Sequence, residues 1–78
     1  AHYDHIGTGR AVGGEAINNG ADDNATGTTG VLLLAEALTK LPAPKRSILF
    51  VCFTGEERGL LGSRAFCARP PVPLDKVA

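Results

Sequence analysis

The chain has 78 residues, 44% of them apolar, and its eight basic residues balance eight acidic ones. This length excludes two full domains, and the apolar fraction argues against a disordered chain. Charges of one sign form no run and no apolar stretch could span a bilayer, so nothing predicts binding to nucleic acid or a membrane-spanning segment. The cysteines Cys52 and Cys67 belong to no CxxC pair, which excludes a disulfide framework and a zinc finger.

The predicted elements alternate between strands and helices. Residues 1–5 suit the end of a strand, and the glycine-rich residues 6–24 are predicted to form a long functional loop. From about Ala25 apolar residues recur every three or four positions, which predicts an amphipathic helix that ends at Pro42. The run SILFVCF, residues 47–53, has the length and composition of a strand buried on both faces.

The remainder of the chain continues this alternation. A shorter helix is predicted over residues 57–67, followed by an extended linker over residues 68–73 and the start of a strand at residues 76–78. Strands that alternate with helices predict an α/β layered architecture. Because ligands of such sheets collect beyond the carboxyl ends of the strands, we expect the polar segments that follow the strands to converge on one edge.

Four residues of these polar segments form a candidate metal-binding set: His2, Asp22, Glu56 and Glu57. One imidazole and several carboxylates are typical ligands of zinc or of another divalent metal. The doublet of Asp22 and Asp23 also favours a cation, because adjacent carboxylates repel each other unless a positive charge compensates them. In this interpretation Asp22 bridges two ions, while Asp23 holds the turn.

The two adjacent glutamates suit divided roles. Neighbouring side chains of an extended segment point in opposite directions, so one carboxylate can bind metal while the other faces the water that the metal activates. Asp4, two residues after His2, suits the acceptance of a hydrogen bond from the second imidazole nitrogen.

Each candidate also has a simpler interpretation. His2 alone is more typical of a surface or capping histidine, and the aspartate doublet of an Asx-type cap for the following helix. The two glutamates could be ordinary acids at the start of a helix, where the helix dipole favours them.

Four blocks of sequence carry a family resemblance: AHYDHIG, NNGADDNATG, KRSILFVCFTGEERGLLGS and PPVPLDKVA. In this order they resemble the co-catalytic di-zinc aminopeptidases of metallopeptidase family 28. The resemblance implies a three-layer α/β/α zinc-exopeptidase domain with a mostly parallel central sheet. Residues 1–78 would be a partial catalytic domain, truncated at both ends.

The resemblance also implies a role for each candidate residue. It implies two zinc ions, with His2 and Glu57 each binding one and Asp22 bridging both. Glu56 would be the general base that takes a proton from the metal-activated water. Asp4 would support the His2 imidazole, whereas the family pattern does not use the position of His5, which therefore stays outside the candidate set.

Two further expectations follow from the same resemblance. The peptide bond between Asp22 and Asp23 would be cis. The remaining zinc ligands of the family, an Asp and a His, would lie downstream, so the 78 residues alone are expected to bind zinc weakly and to be inactive.

The implied activity is that of a zinc-dependent exopeptidase, in the first place an aminopeptidase that hydrolyses N-terminal bonds of a peptide substrate. Carboxypeptidases and glutaminyl cyclases share much of this scaffold, and other relatives keep the fold as a non-catalytic receptor or scaffold. Relatives of this kind are commonly exported, which suggests a secreted or periplasmic protein.

Overall fold

The chain forms a thin layer in the computed structural model, which describes residues 1–77. Its dimensions are 50 × 32 × 13 Å, and its radius of gyration of 16.0 Å exceeds the roughly 11.5 Å of a compact chain of this length. The accessible surface of 6284 Å² likewise exceeds the roughly 4,500 Å² of a compact monomer of this mass. A layer this thin encloses no core, and no apolar side chain among residues 1–77 is buried.

Residues 8–17 form an antiparallel β-hairpin. Strand β1 spans Thr8–Val12 and strand β2 spans Glu15–Ile17. The turn between them contains Gly13 and Gly14, whose φ angles of 60° and 85° are both positive. Glycine adopts such angles at little cost, so the Gly-Gly pair favours a tight turn here. The prediction of a structureless loop is therefore wrong for these residues.

The first predicted helix is confirmed as α1, which spans Thr26–Thr39. The side-chain oxygen of Asn24 accepts a hydrogen bond from the Gly27 N–H at 2.9 Å, so it satisfies one of the free N–H groups at the helix start. One face of the helix is half-buried and includes Val31, Ala35 and Leu38. Its consecutive leucines 32–34 are exposed, so much of the apolar surface of α1 remains uncovered.

In residues 47–53, only the last residue, Phe53, pairs with the backbone of another described segment, the one around His2. Phe53 forms a parallel bridge with His2, in which the Tyr3 N–H donates to the Phe53 carbonyl at 3.0 Å and the Phe53 N–H donates to the Ala1 carbonyl at 2.9 Å. Residues 47–50 have no regular secondary structure, and their large apolar side chains are exposed. A strand needs a hydrogen-bonded neighbouring strand, and within residues 1–77 only Phe53 of this segment forms a bridge. The prediction of a buried strand is therefore wrong for residues 47–52.

The second helix, α2, spans Leu61–Ala68 and begins later than the predicted residues 57–67. Three residues before it have positive φ angles: Gly55 at 67°, Gly59 at 93° and Leu60 at 60°. A right-handed helix cannot include such angles, so residues 55–60 form a turn. Glu56 and Glu57 therefore lie in this turn and not in the first turn of a helix, as the simpler interpretation required.

A short 3-10 helix lies close to the end of the described residues. It spans Leu74–Lys76, where the sequence predicted a linker running into a new strand. Val77 is extended, and Ala78, the last residue of the predicted strand start, lies outside the described residues. No helix in residues 1–77 is long and apolar enough to cross a lipid bilayer.

Close packing at Gly62 fixes the start of α2 against residue 54. A Cβ atom at position 62 would lie 2.5 Å from the Thr54 carbonyl oxygen and 2.9 Å from the Thr54 nitrogen. Because backbone atoms cannot move aside easily, Gly62→Ala should lower the free energy of unfolding of the full-length protein by about 1–3 kcal/mol. Urea unfolding measures this change.

Gly30→Ala is the matched control for Gly62→Ala. Gly30 lies within α1, and a Cβ atom there would have no neighbour within 4 Å. Alanine has the higher helix propensity, so this variant should gain about 0.5–1 kcal/mol. Equal losses in both variants would show that the contact with Thr54 is not the cause.

Candidate metal centre

The parallel bridge between His2 and Phe53 places two polar segments side by side, residues 2–5 and residues 54–57. The Glu56 N–H donates to the Asp4 carboxylate at 3.3 Å, which ties the two segments together beyond the bridge. Helix α1 joins them from a third direction, since the Thr28 hydroxyl donates to the His2 carbonyl at 2.8 Å. Three separate parts of the chain thus meet in one place: residues 2–5, residues 54–57 and the start of α1. This meeting place is called the edge below, and the alternation of elements predicted that such segments converge.

His2 is buried at this meeting point, with 7% of its surface exposed. Its Nε2 atom lies 2.9 Å from Oδ1 of Asp23 and 3.8 Å from Oε2 of Glu56. Its Nδ1 atom lies 3.1 Å from the Asp4 carbonyl oxygen and 3.6 Å from Oδ1 of the Asp4 carboxylate. Asp4 therefore contacts the imidazole through its backbone carbonyl, and its carboxylate lies beyond hydrogen-bond distance.

Opposing effects set the pKa of the His2 imidazole. Burial lowers this pKa, because it removes water from the charged form. The Asp4 carbonyl and the carboxylates of Glu56 and Asp23 act in the opposite direction, and together they raise the pKa above its ordinary value. The edge therefore favours positive charge at His2, which is also the condition that favours a cation.

Asp4 shows the reverse balance. Burial raises the pKa of its carboxyl group, but the N–H of Glu56, its own N–H and the nearby His2 outweigh burial and lower the pKa below its ordinary value. Asp4 therefore remains ionised at neutral pH, and its carboxylate can hold the Glu56 backbone in place.

A second group forms around His5. Its Nδ1 atom lies 2.8 Å from Oε1 of Glu57, and the two side chains are 23% and 21% exposed. One ligand atom each from His5, Asp23 and Glu57 can be chosen so that all three lie within 4.8 Å of one another. Asp23 thus belongs to both groups, because its carboxylate also contacts His2.

Asp23, and not Asp22, is the acid of the doublet that faces the histidines. Asp22 is exposed, and its carbonyl accepts a hydrogen bond from the Thr26 hydroxyl at 2.7 Å. The cis peptide bond joins Asp23 to Asn24, so its prediction between Asp22 and Asp23 is wrong by one residue. Successive side chains leave the backbone in different directions, and the loop therefore directs only one of the two adjacent carboxylates towards His2.

The two glutamates divide between the two histidines. Glu56 lies nearer His2, and Glu57 contacts His5. Their side chains therefore serve different groups, as expected for neighbours outside a helix. Sequence reasoning missed the placement of Asp23 and His5, although the second histidine of HYDH was a visible signal for a second imidazole near the first.

The family model described as Peptidase family M28 matches the chain over residues 1–78. The chain belongs to peptidase family M28. The resemblance noted in the sequence blocks is thereby confirmed.

Three curated relatives show the same membership. The M28 chain is 40% identical over 63 residues to Aminopeptidase YwaD of Bacillus subtilis, a match that covers 81% of the chain and 12% of that protein. It is 36% identical over 70 residues to the Vacuolar membrane protease of Clavispora lusitaniae and 37% identical over 71 residues to that of Verticillium alfalfae. These two matches cover 90% of the chain and 6% of each relative. No solved structure matches the chain significantly.

The donor atoms of this M28 chain fit zinc. Zinc in proteins takes imidazole nitrogen and carboxylate oxygen ligands, usually four in total. The edge offers two imidazoles, from His2 and His5, and the carboxylates of Asp23, Glu56 and Glu57. Asp4 adds the supporting contact that metal-binding histidines commonly have.

Proposed function

We propose that the full-length protein is a zinc-dependent exopeptidase, specifically an aminopeptidase that hydrolyses N-terminal bonds of peptides. The observation that carries this proposal is the shared position of Asp23. Its carboxylate lies 2.9 Å from Nε2 of His2 and also within 4.8 Å of ligand atoms of His5 and Glu57. A carboxylate within reach of one nitrogen ligand, His2, and one carboxylate ligand, Glu57, suits a site for two divalent ions.

Three residues would hold the metal in this proposal: His2, Asp23 and Glu57. Bound zinc would supply a nucleophilic water at neutral pH and polarise the carbonyl of the scissile bond. Asp22 is not retained as a bridging ligand, because its side chain is not among those that the structure brings to the edge.

Glu56 is the general base in this proposal. Its backbone is held by Asp4, while its side chain stays about one-third exposed and can meet a substrate. It would take a proton from the attacking water and deliver it to the leaving amine. Its Oε2 atom lies 3.8 Å from the His2 ring, which places it beside the metal-binding groups rather than among their closest contacts.

The length of the relatives and the exposed apolar surface of the chain both support a larger catalytic domain. The chain spans 12% or less of the length of these relatives, and many of its large apolar side chains lie exposed on a thin layer. A parallel bridge and exposed apolar helix faces suit a mostly parallel sheet covered by helices on both sides. We therefore propose that the chain is part of a three-layer α/β/α domain.

Matched peptides test the proposed reaction. The full-length protein is assayed on one peptide with free termini, on its N-acetylated form and on its C-amidated form. An aminopeptidase should release the first residue from the free and amidated peptides and spare the acetylated one. Chelation should abolish release, and added zinc should restore it.

Other outcomes of this assay would contradict the proposal. Release of the last residue from the acetylated peptide would indicate a carboxypeptidase. An absence of cleavage in the metal-loaded protein would favour the non-catalytic scaffold. Aminopeptidase is preferred because one relative is itself named an aminopeptidase.

The isolated 78 residues should bind zinc weakly. Their metal-binding groups lie on a layer without a buried apolar core, and Asp23 is 65% exposed at its side chain. We expect affinity to fall by more than the roughly 100-fold that loss of one supporting contact causes. Competition with a chelating dye compares the isolated chain with the full-length protein, and two tight sites on the isolated chain would refute this expectation.

A further inference from the structure

We propose that His5 is a positioning residue that holds the Glu57 carboxylate in place for metal binding. This inference rests on the proposed metal site. Its basis is the 2.8 Å contact between Nδ1 of His5 and Oε1 of Glu57. The carboxylate oxygen accepts this hydrogen bond, and the imidazole donates it from Nδ1.

The contact joins two segments that are distant in sequence. His5 and Glu57 are 52 residues apart, and both side chains are largely covered, with 23% and 21% exposed. Ion pairs between long, exposed side chains contribute little to stability, because holding two flexible side chains in one geometry costs conformational entropy. Here the parallel bridge at His2 and the turn at residues 55–60 already bring the two side chains together.

Packing fixes the imidazole from a second side. Gly20 lies against the ring: a Cβ atom at position 20 would come within 2.8 Å of Cγ and 2.9 Å of Cβ of His5. Gly20 also has a φ of 63°, an angle that favours glycine. The loop that carries Asp23 therefore packs against the same imidazole that donates to Glu57.

This arrangement suits support rather than direct ligation. A carboxylate has two oxygens, so Oε1 can accept from His5 while Oε2 of Glu57 remains free to bind an ion. Metal-binding carboxylates are commonly held by such a hydrogen bond, and its loss typically lowers metal affinity 10–100-fold. Direct binding of the metal by His5 is the alternative, and it requires the Nδ1 contact to break or the opposite nitrogen to face the ion.

Two substitutions of His5 separate these roles. His5→Asn keeps an N–H donor close to the position of Nδ1, whereas His5→Phe keeps a flat ring without a donor. Each variant of the full-length protein is stripped of metal and titrated with Zn²⁺ in competition with a chelator. Co²⁺ is then added in place of zinc, because its visible absorption reports the atoms bound to the metal.

Positioning predicts different results for the two variants. His5→Phe should weaken one of two metal sites by roughly 10–100-fold, and His5→Asn should stay within about threefold of the original protein. The Co²⁺ spectrum of His5→Asn should match that of the original protein, since the bound atoms are unchanged. His5→Ala is a second donor-free variant if the phenylalanine ring does not fit beside Gly20, and circular dichroism confirms folding.

Several results would overturn the inference. If His5→Asn loses as much affinity as His5→Phe and shifts the Co²⁺ spectrum, the imidazole itself binds the metal. If both donor-free variants bind zinc as tightly as the original protein, the contact does not position Glu57. Glu57→Gln tests the metal site independently: retention of both tight sites in that variant would refute the proposed metal site, and the role of His5 with it.

Discussion

Glu56→Gln should lower kcat of the full-length protein by about 10²–10⁴-fold, the usual contribution of a general base, while zinc content stays unchanged. Glutamine has nearly the shape of glutamate but cannot take a proton from water. The Glu56 N–H that donates to Asp4 is a backbone group, so it survives the substitution. The loss should therefore reflect proton transfer and not a displaced turn. Steady-state kinetics and elemental analysis of the same samples measure the two quantities.

Two other glutamates provide controls for this variant. Glu57→Gln is the same change one residue later, and it should lower metal content as well as kcat, because Glu57 belongs to the proposed ligands. Glu36→Gln changes an exposed acid of α1 that pairs with Lys40, and it should alter neither quantity. Near-full activity of Glu56→Gln would refute its role as base, and loss of zinc from it would make Glu56 a ligand.

Local sequence patterns were sufficient for the first helix and for the meeting of polar segments. The spacing of Val31, Ala35 and Leu38 places them on one half-buried face of α1. The short apolar run at residues 47–53 marks a segment whose end lies beside His2, and this places Glu56 near the imidazole. The half-buried face of α1 and the position of Glu56 near His2 can therefore both be inferred from local sequence patterns and the order of the elements.

Non-local and turn-dependent features were not predictable in the same way. Whether residues 47–53 form a strand depends on a hydrogen-bonded neighbour that can lie far away in sequence, and the composition of the segment does not specify that neighbour. Because Gly59 and Leu60 have positive φ angles, α2 begins only at Leu61. The helical spacing of the apolar residues does not reveal this starting point. The many glycines of residues 6–24 suggest a loop, although adjacent glycines also favour the tight turn that forms the hairpin at residues 8–17.

The candidate metal centre also combines a feature that the sequence predicts with one that it does not. That an acid of the doublet would face His2 follows from charge, since an imidazole and a cation both attract carboxylates. Which acid does so depends on the direction of the loop after Gly20. Gly20 itself has a left-handed conformation, and its carbonyl accepts a hydrogen bond from the Ala25 N–H at 2.9 Å. Composition and spacing are nearly the same for both aspartates, so only the path of the backbone distinguishes them.

Asp23→Asn should therefore weaken zinc binding by the full-length protein by more than roughly 100-fold and reduce activity accordingly. Its carboxylate contacts His2 and lies in the group with His5 and Glu57, so a neutral amide would weaken both proposed ion sites at once. Asp22→Asn removes the same charge from the adjacent residue. It should leave zinc affinity within about twofold, as for an ordinary surface substitution.

The comparison between these two aspartates separates geometry from net charge. A general effect of negative charge near the edge would weaken zinc binding similarly in both variants, whereas a bound carboxylate would affect Asp23→Asn alone. Isothermal titration with Zn²⁺ and the metal content of the purified variants distinguish the two cases. If Asp22→Asn instead lost zinc while Asp23→Asn kept it, the assignment implied by the family resemblance would stand, and the loop after Gly20 would have to direct the other carboxylate towards His2.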